Sequence, residues 1–193
     1  MRLLHLYLRS RLAGWAVVIL AVIGAISWFW LRLIVESGND VDFSLIVIPL
    51  LPAVVIGAST RSPFGDTELT ASRSLPALRF GHLAGLLLCG ALALSLAANG
   101  WSLESIEWEL VRNMAGFSGL AFIGSRVLGS GICWVLPLGY GVIALMVNSD
   151  SRWAWPGELP TDQWSMTVAT ILIVVGLLAV TVQTARDTGD DVP

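Results

Sequence analysis

The sequence has 193 residues, of which 55% are hydrophobic and only 13% are charged, and its mean hydropathy is +0.77. A soluble domain of this size needs more charged surface than these residues supply, whereas a lipid bilayer solvates an apolar exterior. The composition therefore excludes an ordinary soluble domain. It predicts an all-α, polytopic membrane protein with one domain over residues 1–185 and a disordered cytoplasmic tail over 186–193.

All 11 basic residues are Arg, so the chain contains no Walker A phosphate-binding loop, which requires Lys. Any ATP hydrolysis in which this chain takes part would be catalysed by another protein. Cys89 and Cys133 lie in apolar stretches without metal-ligand spacing. We interpret them as buried small residues and expect no metal, cofactor or nucleic acid to bind this chain.

The N-terminal segment interleaves apolar residues with Arg2, His5 and Arg9, which share one face of a helix. This pattern predicts a short helix in the cytoplasmic interface of a membrane, although a charged flank of the first span would give the same pattern. The apolar run after Arg11 is too long for a signal peptide, so we expect a retained first helix.

Six stretches are apolar enough to form membrane spans, which need about 20 residues each. The predicted spans are 13–35, 43–59, 78–98, 109–128, 131–148 and 164–185. The second is short and contains Pro49 and Pro52, which predict a kinked or tilted helix. Only Gly129 and Ser130 separate the fourth span from the fifth, which predicts a tight hairpin.

The distribution of Arg predicts the orientation, because cytoplasmic loops of membrane proteins are enriched in basic residues. With a cytoplasmic N-terminus, the outer side holds only Arg32, Arg112 and Arg152. Arg32 can pair with Glu36 one turn later, and Arg112 and Arg126 are interpreted as the two ends of the fourth span. Seven Trp residues fall near the predicted outer interface: Trp28, Trp30, Trp101, Trp108, Trp153, Trp155 and Trp164.

The longest cytoplasmic loop lies between the second and third spans. Pro63 and Gly65 predict a turn, and Asp66 or Thr67 can cap a short helix over 67–74. Pro76 then stands where the next helix can begin. Without a partner, a short helix with apolar side chains would be costly to expose, although a structured connector is the alternative.

This loop resembles the first cytoplasmic loop of type-2 ABC exporter permeases. The residues that carry the resemblance are Gly65, Asp66, Thr67, Glu68, Leu69, Arg73, Leu75, Pro76 and Arg79. The resemblance implies a coupling helix that docks on a cytoplasmic ABC ATPase subunit, which holds ATP and Mg. The residues it assigns to that helix are Phe64, Gly65, Asp66, Thr67, Glu68, Leu69 and Arg73.

In that family two permease subunits, identical or related, pair with two ATPase subunits, and spans two and five line the path. The resemblance therefore implies a bacterial cell-membrane protein that exports an apolar or amphipathic substrate. The candidate path-lining or hinge residues are Pro49, Pro52, Trp134, Pro137 and Tyr140. The alternative hypothesis is a membrane scaffold or assembly partner that transports nothing.

The sequence Gly116-Phe117-Ser118-Gly119 in the fourth span is similar to the signature of rhomboid intramembrane proteases. Those enzymes need a His on the sixth span as general base, and this span contains none. We therefore interpret these small residues, with Gly124, as a close-packing face. The stretch 81–85 together with Gly90 forms a second such face, for helix packing or for a homodimer.

The outer segment 149–163 contains Trp and Pro residues and precedes the sixth span. It fits either a re-entrant piece that forms an outer gate or a loop anchored in the membrane interface.

No charged residue falls near the middle of a predicted span, which disfavours a proton-coupled or ion-coupled transporter. No cluster of His, Asp or Glu lies at one depth, which disfavours a membrane enzyme.

Overall fold

A computed structural model describes residues 13–37, 42–61, 75–99, 104–146, 154–158 and 162–182. Within these residues the protein is all-α. Its six helices are α1 (Ala13–Ser37), α2 (Asp42–Ala58), α3 (Leu75–Ala98), α4 (Glu104–Val127), α5 (Val135–Met146) and α6 (Gln163–Val182). Two single 3₁₀ turns, Ser130–Ile132 and Trp155–Gly157, precede α5 and α6.

The helices run up and down, so that the starts of α2, α4 and α6 lie at one end of the bundle. At this end Leu31 of α1 and Leu94 of α3 form a buried cluster with Leu45 of α2 and Leu110 of α4. At the other end, Leu20 of α1 packs in a cluster with residues from α2, α3, α4 and α6. We call the first of these the Arg112 end, after the residue that organises it.

Helix α4 lies at the centre of the bundle and contacts α2, α3, α5 and α6. Its side chains Leu110, Asn113, Met114, Phe117 and Phe122 are among the largest fully buried ones in the protein. These four helices therefore shield α4 from the surroundings of the bundle.

Small residues let α4 approach its neighbours closely. A Cβ atom added to Gly119 would lie 2.3 Å from the backbone of Leu172 in α6, and one on Gly176 would lie 2.6 Å from the carbonyl oxygen of Gly119. A Cβ on Gly124 would lie 2.7 Å from the carbonyl oxygen of Cys133. The predicted close-packing face of α4 is confirmed. Among the glycines of the second face, an added Cβ would meet a neighbour at Gly90, whereas at Gly81 and Gly85 it would meet none of the described residues within 4 Å.

Among the helices that the structure describes, three are long and apolar enough to cross a membrane: α1, α3 and α6. Their outward faces carry large exposed apolar side chains, such as Ile26 and Phe29 on α1, Leu92 on α3, and Leu178 on α6. Water would not tolerate an apolar surface of this extent, whereas lipid does. The fold is thus that of an all-α membrane protein. Helices α2 and α5 are apolar but shorter.

The six helices coincide with the six predicted spans to within a few residues, but two starts differ. Helix α4 begins at Glu104 rather than at 109. The prediction followed the apolar residues, but the helix extends one turn beyond them, where acidic residues are favourable near its N-terminus. Helix α5 begins at Val135 rather than at 131, because a 3₁₀ turn follows Gly129, whose φ of 98° favours glycine. The connection between α4 and α5 therefore covers residues 128–134, rather than the two residues of the predicted tight hairpin.

Some predictions fall outside the described residues. These are the interfacial helix within 1–12, the coupling helix within 62–74 and the tail 186–193. Helix α3, however, begins at Leu75 with Pro76 in its first turn, as the sequence pattern predicts.

Candidate functional site

The segment 154–158, Ala-Trp-Pro-Gly-Glu, folds against the Arg112 end of the bundle. Pro156 fixes its own φ in the range that a 3₁₀ turn needs, and the turn closes with a hydrogen bond from the Gly157 N–H to the Ala154 carbonyl at 2.9 Å. Trp155 and Pro156 are buried, while Gly157 is exposed. This turn contacts α2, α5 and α6. The segment therefore covers several helices at once.

The ring of Trp155 fills a pocket on α4 and α5, and only 2% of the residue is exposed. Its centroid lies 5.6 Å from that of Phe117 and 6.0 Å from that of Tyr140, nearly parallel to the latter ring. Gly116 makes room for it, because a Cβ there would lie 2.1 Å from Cη2 of Trp155. Trp155 is one of the seven Trp residues expected near the outer interface, but its ring faces protein rather than the surroundings of the bundle.

Arg112 holds the backbone of this segment. Its Nη2 donates to the carbonyl of Glu158 at 2.9 Å and to that of Trp155 at 3.4 Å, and its Nη1 donates to Oγ of Ser165 at 2.9 Å. Only 4% of Arg112 is exposed. The interpretation of Arg112 as a residue at a span end is therefore wrong. It lies in the third turn of α4, with its guanidinium directed at carbonyl oxygens.

Asn113, which is fully buried, binds two elements with one amide group. Its Nδ2 donates to the carbonyl of Pro156 at 2.8 Å and to the carbonyl of Leu45 at 2.9 Å, while its Oδ1 accepts from Nε of Arg112 at 3.2 Å. Within a helix the Leu45 carbonyl would accept from residue 49, but Pro49 has no N–H. Asn113 thus supplies the donor that Pro49 removes from α2.

The start of α6 completes the cluster. The Ser165 hydroxyl accepts from Arg112 and donates to the carbonyl of Asp162 at 3.0 Å. The Asp162 carboxylate caps the helix, because the Ser165 N–H donates to its Oδ2 at 2.8 Å. This backbone hydrogen bond, with the Ser165 hydroxyl, the Trp164 N–H and the charge of Arg112, lowers the pKa of Asp162 below 3.8.

The polar side chains of this cluster bind backbone carbonyls and a hydroxyl group of this chain. The described residues contain no group of three or more His, Cys, Asp or Glu side chains that could hold a metal ion. The Ser118 hydroxyl, which the protease-like sequence would make a nucleophile, is fully buried and has no hydrogen-bond partner in the described part of the chain. A nucleophile needs an adjacent base, so this geometry does not support a protease.

The candidate path or hinge residues occupy three kinds of position. Pro49 and Pro52 are fully buried in α2, and Pro137 is buried in α5. Tyr140 is half-buried and stacks on Trp155, and Trp134 is 43% exposed at the opposite end. The three prolines therefore lie within the packing of this chain, where they fit a hinge better than a path lining.

The predicted coupling-helix residues lie outside the described part of the chain, so the structure does not place them. These are Phe64, Gly65, Asp66, Thr67, Glu68, Leu69 and Arg73.

Two residues that organise the site, Arg112 and Asn113, were not among the predicted site residues. A signal was available, since Pro49 leaves the Leu45 carbonyl without its helical donor and Asn113 is an isolated amide in an apolar stretch. The contact between Asn113 and the Leu45 carbonyl could not be predicted from the sequence, because 68 residues separate Asn113 from Leu45.

Arg32 and Glu36, by contrast, form the predicted ion pair on α1 at 2.9 Å.

No protein-family model, no curated protein and no solved structure matches this chain. Its function is therefore inferred from its own residues and geometry.

Proposed function

We propose that this chain is the transmembrane permease subunit of a bacterial ABC exporter. In this proposal all six helices cross the cell membrane, both termini are cytoplasmic and the Arg112 end faces outward. A separate ATPase subunit hydrolyses ATP, and a second permease subunit, identical or related, completes the transporter. The substrate is apolar or amphipathic, since Arg112 of α4 is occupied by oxygens of this chain and the other charged side chains that the structure describes lie near helix ends.

The observation that carries the proposal is the position of the segment 154–158. Its turn contacts α2 and α5, the two helices that the resemblance assigns to the path, and its Trp155 ring packs against Tyr140 of α5. A transporter needs such a closure at the end away from its ATPase. A scaffold would need neither a covered path nor prolines buried in the helices beneath the cover.

The exposed surface of the bundle also fits a chain that works beside lipid and other subunits. Trp28, Trp30, Trp108 and Trp164 are exposed at the Arg112 end, as expected of an aromatic belt at a membrane interface. At the opposite end, Arg79 and His82 are buried in the first turns of α3, directly after the predicted coupling loop. That end therefore combines basic groups with the loop that the proposal assigns to the ATPase.

The test is co-expression with a candidate ATPase subunit, followed by detergent extraction and measurement of ATP hydrolysis. We expect a complex that survives purification and ATPase activity that depends on the permease. Glu68→Ala should abolish this dependence without preventing membrane insertion.

The matched control is Glu107→Ala, which removes the same charge at the Arg112 end. It should leave ATPase stimulation unchanged. Stimulation that survives Glu68→Ala would remove the coupling-helix assignment. A chain that binds no ATPase would leave the scaffold as the better account.

A further inference from the structure

Two consecutive residues of α4 hold three carbonyl groups of the segment 154–158. Arg112 binds the carbonyls of Trp155 and Glu158, and Asn113 binds that of Pro156. Both side chains are buried, so water does not compete for these bonds. The described part of the segment has little secondary structure of its own, with two backbone hydrogen bonds within its turn. Its position therefore depends on α4.

Asn113 also connects the segment to α2. The same Nδ2 group donates to Pro156 and to Leu45, whose carbonyl has lost its helical donor to Pro49. A helix interrupted by proline bends more readily than an intact one. A displacement of the first turns of α2 would therefore strain the bond from Asn113 to Leu45 and, through the same amide, the bond to Pro156.

We propose that Arg112 and Asn113 form a latch that keeps the segment 154–158 closed over the bundle, and that Asn113 couples its release to movement of α2. The unlatched state has the segment displaced, with Trp155 withdrawn from the pocket at Gly116. That the latch closes a transport path rests on the proposed function. That it controls the position of the segment does not.

Accessibility of Ala154 tests the latch directly, because only 3% of this residue is exposed in the closed segment. The reporter protein carries Ala154→Cys and Cys89→Ala and keeps native Cys133. Cys133 is 1% exposed and lies near Gly57 and Gly124, far from the segment along α4, so it reports the integrity of the whole bundle. The measurement is the rate at which a maleimide labels each position in detergent-solubilised protein.

The latch variants are Asn113→Asp, which removes the amide donors, and Arg112→Lys, which keeps the charge but loses the forked geometry. We expect each to raise the labelling rate at position 154 about tenfold, the effect of losing one or two buried hydrogen bonds on a local opening equilibrium. Cys133 should stay protected. The control is Thr170→Val, since the Thr170 hydroxyl bonds only within α6, and it should change neither rate.

An unchanged rate at position 154 in both variants would overturn the latch. Equal increases at positions 154 and 133 would also overturn it, because they would mean that the two residues merely stabilise the bundle. The experiment needs neither ATPase nor substrate. Its failure would leave the proposed exporter function standing, and a failed ATPase complex would leave the latch standing.

Discussion

Helices α1 and α4 have nearly equal lengths of 25 and 24 residues but opposite surroundings. The buried residues of α1 form one stripe at helical spacing: Ala16, Leu20, Gly24, Ser27 and Leu31. The rest of α1 is largely exposed and apolar. In α4, buried residues occur on all sides of the helix, and its large exposed apolar residues are Trp108 and Val127, near its two ends.

This difference explains why hydropathy identifies α1 as a possible membrane span and does not identify α4. A helix that faces lipid must be apolar on its outer surface, whereas a helix enclosed by protein can carry polar groups if its neighbours satisfy them. Arg112 and Asn113 lower the apolar character of α4, and carbonyl and hydroxyl oxygens from three other elements accept their hydrogen bonds. Hydropathy therefore reports the surface next to lipid rather than the interior of the bundle.

Removing one large aromatic ring from each of these two environments should give the largest difference in stability. Trp155→Ala should lower the free energy of unfolding by about 3–5 kcal/mol, the usual loss for a buried Trp. Trp15→Ala on α1 should change it by no more than about 0.5 kcal/mol, because Trp15 is 67% exposed. Denaturation in mixed micelles measures both. Similar losses at the two positions would contradict the enclosed position of Trp155.

Adding a single methyl group should also distinguish α4 from α1, with a smaller change in stability. Gly119→Ala should destabilise the protein by about 1–3 kcal/mol, because the added Cβ meets the backbone of α6, which cannot move aside as a side chain can. Gly14→Ala on α1 is the matched control. An added Cβ there would meet none of the described residues within 4 Å, and the substitution should be neutral or stabilising by up to about 1 kcal/mol. Thermal unfolding of the two variants decides, and a stable Gly119→Ala protein would rule out the close α4–α6 contact.

A double-mutant cycle tests the bond between α4 and α2. Asn113→Leu should cost about 1–3 kcal/mol, because it leaves buried carbonyls without donors. In a Pro49→Ala background the Leu45 carbonyl regains a helical donor, so the same substitution should cost less by about 0.5–1 kcal/mol. Equal costs in the two backgrounds would show that Asn113 does not serve the carbonyl that Pro49 leaves open.

The smallest expected effect is a dependence on pH at the start of α6. Since the pKa of Asp162 is lower in the folded protein, its ionised form stabilises the fold above pH 3.8, and this contribution is lost as the pH falls through the folded-state pKa. Asp162→Asn should remove this dependence, because an amide caps without titrating. Melting temperatures between pH 6 and pH 3 measure the difference between the two proteins. Parallel curves would contradict the cap.

The positions of the six helices were predictable because apolar stretches and Gly or Pro signals mark them in the sequence. The central position of α4 was not, since nothing in a helix sequence identifies its neighbours. The site was predicted least well. Tyr140, predicted as a path-lining or hinge residue, stacks on Trp155 of the outer segment. Arg112 was interpreted from its distance to the end of an apolar stretch, although its side chain reaches inward to carbonyls.

A permease with six spans requires that α4 cross the membrane, and this can be tested directly. Gly131 in the α4–α5 turn and Gly157 at the Arg112 end are both exposed, and a Cβ on either would meet no atom within 4 Å in the described part of the chain. Cysteine can therefore be introduced singly as Gly131→Cys or Gly157→Cys, in a chain without Cys89 and Cys133, and labelled with a membrane-impermeant maleimide. We predict labelling at position 157 in intact cells and at position 131 only after permeabilisation. Labelling of both positions from the same side would contradict the six-span bundle.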